Sequence, residues 1–149
     1  MKLAGFGLAI DLEPGWEGRL FRRTLRHGEE VTHPVVHLAN IPLPEVRADF
    51  GGGVVEHLRS GDCFAVLFDY GAQAASQPLF AHRGVPELRS SHFTTARLQR
   101  TLPGQVGAQM FFQSGGRAMC LYVVLGSASD KSPVGVLNAM LGRAEVTPW

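Results

Sequence analysis

Two strongly apolar runs, residues 106–113 and 118–125, are separated only by Ser114-Gly115-Gly116-Arg117. Adjacent glycines accept positive φ without steric penalty, so the runs on either side of them are predicted to fold back as a β-hairpin. A third run, residues 63–70, is apolar on both parities: Phe64, Val66 and Phe68 on one, Cys63, Ala65 and Leu67 on the other. A strand of that composition must be covered on both faces, which places it centrally in a sheet.

The rest of the chain supplies the partners. Phe6, Leu8, Ile10 and Leu12 share one parity, the period of a half-buried strand. Glu13-Pro14-Gly15 turns it, because proline fixes φ and glycine accepts the positive φ that follows; Trp16 is expected to cover the end of the core. Residues 18–26 form a less regular second strand, ended by His27-Gly28-Glu29-Glu30, and residues 35–41 a third, between Pro34 and the pair Pro42 and Pro44. Asp49 is an N-cap for a short helix over 50–59, with Val54, Val55 and Leu58 at helical spacing. Gly51, Gly52 and Gly53 weaken it by about 1 kcal/mol each relative to alanine, so a start only after them is the alternative. In residues 71–95, Gly71, Pro78, Gly84 and Pro86 interrupt every run, so this is a long irregular excursion. Residues 96–101 read as a strand. The last element is a helix with Ser132 as N-cap, Pro133 at its first position, a stripe of Val134, Leu137 and Leu141, and Gly142 at its end.

That order predicts an antiparallel α+β fold in a single domain spanning 1–149. Among 149 residues, 45% are hydrophobic and 18% charged, which is globular. The formal net charge of +1 provides no field for nucleic acid or an anionic membrane. Of the 14 basic residues only Lys2 and Lys131 are lysines, a bias typical of GC-rich coding. Cys63 and Cys120 both lie in apolar runs and behave there as small hydrophobes; a bridge between them requires neighbouring strands with opposed side chains. Residues 1–5 carry no extended apolar region or cleavage site, and no run is long enough to span a bilayer. The expected location is cytoplasmic.

The front stretch Gly7-Leu8-Ala9-Ile10-Asp11-Leu12-Glu13-Pro14-Gly15-Trp16 and the back stretches Phe111-Phe112-Gln113-Ser114-Gly115-Gly116-Arg117 and Leu121-Tyr122-Val123-Val124-Leu125 precede a helix around Leu137-Asn138-Ala139-Met140-Leu141. In this order of elements the chain resembles the PsbP-like superfamily, and its small bacterial members in particular. The adjacency of Pro14 and Gly15 departs from the family's usual Pro-x-Gly-Trp turn. The resemblance implies one antiparallel sheet of about six strands flanked by helices, an α/β/α sandwich, and an accessory or binding role rather than an enzyme's; it carries over no catalytic residue.

No residue is assigned as catalytic, cofactor-binding or metal-binding. His33 and His37 would share one face of a helix, but Pro34, Val35 and Val36 favour extended chain. The rings then stand roughly 13 Å apart, too far for one zinc, and a solvated strand edge is expected. Cys63 with Asp62 and His57 has the ingredients of a nucleophile and base, yet a reactive thiol needs an exposed, electropositive setting. Ser90-Ser91-His92 lacks the strained elbow that presents a serine. The glycine-rich entry at residues 49–58 lacks the Lys-Ser/Thr of a phosphate loop. Arg19, Arg22, Arg23 and Arg26 form the one basic cluster; in a strand Arg19 and Arg23 face one side, Arg22 and Arg26 the other. The segment 78–88 mixes Phe80, His82, Arg83 and Leu88, anchors and polar groups of the kind interfaces use, and could equally pack over the sheet. The candidate interaction surface is therefore Arg19, Arg22, Arg23, Phe80, His82 and Arg83. The leading expectation is a non-catalytic accessory domain whose partner is another protein, with self-association left open. A small-molecule or lipid pocket, and a small enzyme using Cys63 or a histidine, are the alternatives.

Overall fold

The structure, a computed structural model, describes residues 1–22, 33–45 and 53–148. In chain order the strands are β1 (Lys2–Gly5), β2 (Leu8–Asp11), β3 (Glu17–Arg22), β4 (Pro34–Ala39), β5 (Cys63–Gly71), β6 (Val106–Ser114) and β7 (Arg117–Leu125); helix α1 (Pro133–Gly142) and the short strand β8 (Glu145–Val146) follow. The fold is α+β and antiparallel. The single sheet of about six strands is corrected to two sheets: five strands in the order β3-β4-β5-β7-β6, and three in the order β1-β2-β8.

The five-stranded sheet is built around β5, as its double-sided apolarity requires. Register pairs Leu67 with Leu121 and Val66 with Tyr122, so a slip by one residue would exchange the contents of two cores. On the first face Ala65, Leu67, Leu121 and Val123 pack against Leu8 and Ile10 of β2 and Val134, Leu137, Met140 and Leu141 of α1. On the second face Phe64, Val66, Phe68, Tyr122 and Val124 meet Val54 and Leu58. The flanking helices reduce, among the described residues, to α1 alone. Where a helix is expected over 50–59, or only after the glycines, the described residues show one 3-10 turn, Val54–His57, entered from Gly53 at φ 92. A left-handed residue cannot sit inside a right-handed helix, so the turn starts after Gly53; Asp49 lies outside the described residues.

Three further expectations change. The opening strand is a hairpin: Phe6 (φ 50) and Gly7 (φ 78) form the two-residue turn between β1 and β2. Both central residues at positive φ is the twist that matches paired strands. Phe6 fits the parity of Leu8 and Ile10 only by coincidence. The expected strand at 96–101 is replaced by a 3-10 turn at Thr95–Arg97. Beside this turn Leu98 lies over Gly107, where an added Cβ would stand 2.8 Å from Leu98 Cδ2. The second strand is described only to Arg22. The turn at Pro14 holds: the Trp16 amide donates to Glu13 O at 3.0 Å, Gly15 has φ 83, and Trp16 packs half-buried on the first core.

The long excursion winds around the sheet's outer edge. Phe80 lies beside Phe111, their ring centroids 5.8 Å apart. The chain then pairs with β6 at Gln113, whose amide donates to His82 O (2.8 Å) and whose carbonyl accepts from Gly84 (2.8 Å). It drops Leu88 and Phe93 into the first core, and returns where Thr94 and Gly107 exchange two hydrogen bonds of 2.9 Å. An edge strand left bare invites another chain to pair with it. Here the excursion occupies both ends of that edge.

Candidate functional site

Strands β5 and β7 carry one charged residue each into the apolar layer between the two sheets. Asp69 and Arg117 have fully buried side chains and form an ion pair. Arg117 Nε donates to Asp69 Oδ2 at 2.8 Å, while Asp69 Oδ1 accepts the Gly71 amide at 2.7 Å. Arg117 Nη1 donates to Phe6 O (2.9 Å) and Thr147 O (3.2 Å). The guanidinium thus joins the β1–β2 turn, the chain beyond β8 and the central sheet. Every contact in this constellation is internal, so its chemistry is structural: a charge in low dielectric is tolerated only with its partners in place.

The cysteines do not meet. Cys63 faces the first core and Cys120 the second, across the sheet from each other, and both are free. Burial pushes the Cys63 thiol far up, and the charge of Asp62 adds to the shift. Burial pushes Cys120 up to about 11, against a smaller opposing contribution from its hydrogen bond with Gln109. Both remain protonated at neutral pH, and the thiol is the poor nucleophile of the pair thiol and thiolate.

The expected solvated edge at His33 and His37 is corrected for His37, which is fully buried. Its ring sits edge-on to Phe21 and Phe64, with centroids 4.9 and 5.2 Å away. Because β4 is an inner strand of the five-stranded sheet rather than its edge, no solvent reaches this position. Among the described residues no group of three or more His, Cys, Asp or Glu gathers as metal ligands would.

The sequence-nominated surface is divided. Arg19 stands opposite His37 and donates Nη2 to Pro44 O. Arg22, on the other face, holds its guanidinium carbon 5.3 Å from the centroid of the Phe6 ring. Arg23 lies outside the described residues. Phe80 is corrected from surface anchor to core: it is 4% exposed and sits between Tyr70 and Phe111. Its strand-edge neighbours His82 and Arg83 are exposed.

Two concavities lie at opposite ends of β5. One, of about 520 Å³, follows Gly71: Ala72, Ala75, Pro78 and Ala81 line it with Arg83 and Gln113. Gln113 Nε2 donates to Ala75 O (3.1 Å) and Phe80 O (2.9 Å), fixing its floor. Leu79 beside it is 57% exposed, and Tyr70 40%. The other, of about 570 Å³, precedes Cys63 and is lined by Ile41, Pro42, Pro44, His57, Arg59 and Asp62. Sequence reasoning found Arg83 and missed the second cleft and the Arg117–Asp69 pair. The signal for Asp69 was present, a lone charge in an otherwise apolar run, since such charges are buried only when paired; Arg117 reads as a turn residue. The cleft left no comparable signal, because its walls come from segments with ordinary turn composition.

No helix among the described residues is long and apolar enough to cross a membrane. Comparison of the sequence with protein-family models and with curated proteins gives no match.

Proposed function

We propose that this chain is a non-catalytic accessory domain, of the kind its PsbP-like resemblance implies, that binds another protein through the groove beside Gly71. The observation that carries the reading is the exposed Leu79 next to a rigid groove ending at Arg83. Leu79, on the 3-10 turn Pro78–Phe80, and Tyr70 both leave large apolar surface in water near one groove, and apolar side chains grouped at a surface mark the places that partners cover. The turn's underside is locked by the stack of Tyr70, Phe80 and Phe111, so little conformational entropy remains to be lost on association. Arginine and exposed aromatic residues are the side chains on which interface energy concentrates. The partner that fits presents an apolar side chain to Leu79 and Tyr70 and a carboxylate to Arg83.

The test is affinity capture from the native cell extract with wild type and with Leu79→Asp/Arg83→Glu. The expected outcome is one stoichiometric partner retained by wild type and lost by the variant, with unchanged thermal midpoint. Equal retention by both proteins would refute the groove as the docking site.

A further inference from the structure

The cleft at the other end of β5 is built more firmly than a surface hollow requires. Its two walls hang on one side chain, Asn40, whose Nδ2 donates to Gly61 O (2.9 Å) and whose Oδ1 accepts the Cys63 amide (2.8 Å). Immediately after Asn40 comes the apolar wall of Ile41, Pro42 and Pro44. Two prolines restrict its backbone, and Arg19 bonded to Pro44 O fixes it from behind. The opposite wall is a closed turn. Arg59 N–H donates to Asp62 Oδ2 (2.8 Å), Asp62 N–H donates to Arg59 O (3.0 Å), and Gly61 takes φ 86. Gly126 presses on this turn so closely that an added Cβ would stand 1.9 Å from Arg59 O.

The result is a preset backbone that presents Arg59 at the rim, with His57 from the adjacent 3-10 turn. Among the described residues the Arg59 guanidinium has no hydrogen-bond or ion-pair partner, whereas Arg100, beyond the same turn, is paired with Glu56. Asp62 is tied to the backbone of the turn, one oxygen accepting the Arg59 amide, and the group at this rim with open donors is the Arg59 guanidinium.

We infer that this cleft binds a small amphipathic anion, its apolar body against Ile41, Pro42 and Pro44 and its carboxylate, sulfonate or phosphate at Arg59 with His57 beside it. The volume of about 570 Å³ suits a ligand of that kind. Arginine presents paired donors in a plane that matches such a head group. The site is independent of the protein-binding groove, which lies at the far end of the same strand.

The experiment uses two fluorescent probes that share an apolar body. 8-Anilinonaphthalene-1-sulfonate carries the anion, and N-phenyl-1-naphthylamine lacks it. Wild type is expected to bind the sulfonate saturably at one site, about tenfold more tightly than the neutral probe. Arg59→Gln is expected to remove that tenfold preference while leaving the neutral probe's affinity and the thermal midpoint unchanged. His57→Gln provides a second variant, with a several-fold loss for the sulfonate alone. The proposal is overturned if the wild type shows no saturable binding, if both probes bind equally, or if Arg59→Gln keeps the preference. Arg59-dependent sedimentation with phosphatidylglycerol vesicles, without capture of the soluble sulfonate, would reassign the site to a membrane surface and overturn a free ligand.

Discussion

Arg117 illustrates how one residue can organise a fold without taking part in any reaction. It stands at the start of β7, where the hairpin turn delivers it into the layer between two sheets, and there it meets Asp69 and two carbonyls from opposite ends of the chain. Taking away the cation alone strands a carboxylate in an apolar layer, which typically costs about 3–5 kcal/mol. Arg117→Met is therefore expected to lose about that much in urea unfolding, and adding Asp69→Leu to recover most of it, since a well-packed apolar pair replaces a buried ion pair with little penalty. A double variant no more stable than the single one would show that the hydrogen bonds to Phe6 and Thr147, not the stranded charge, dominate. The pair's importance was hard to read beforehand because the groups that it bonds, Phe6, Gly71 and Thr147, are distributed from one end of the chain to the other. A lone charge in an apolar run signals that a partner exists, not which one.

At the level of elements, what was legible depended on whether local chemistry and tertiary demand agreed. The hairpin of β6 and β7, the central strand β5 and the helix behind Pro133 were each specified by pattern and turn residues together. The opening hairpin and the segment near Thr95 were misread because burial pattern and chain direction diverge there. Phe6 has the parity of a strand but the φ of a turn, and Leu98 is apolar because it covers Gly107, not because it lies in a sheet. Glycines separate these cases by experiment. Gly126→Ala would drive a methyl into the backbone of Arg59, so a loss of about 3 kcal/mol or more is expected, at the upper end of overpacking penalties. Gly135→Ala, in the first turn of α1 with open space around it, should gain on the order of 0.5 kcal/mol. Both are read from denaturant midpoints, and similar effects at the two sites would contradict the packing described here.

For the whole molecule, the two cores are of unequal security. The second face of the large sheet is tied to it by strand side chains and short turns, while the first depends on a separate three-stranded sheet that Arg117 holds in place. Amides in β5 and β7 should exchange hydrogen only by global unfolding, and those of β2 and β8 through a smaller opening. In Arg117→Met, mass-resolved hydrogen exchange is expected to accelerate first in residues 2–11 and 145–147, with β5 following only as far as global stability falls. Uniform acceleration across the chain would mean that the two sheets open as one unit.

The pairing of β2 with β8 has a temporal meaning as well as a spatial one. Leu8 pairs with Val146, so the β1–β2 hairpin is synthesised long before the strand it pairs with. Until then its apolar side has only the growing central sheet to rest on. That corner of the protein can close only after α1 and β8 have been made.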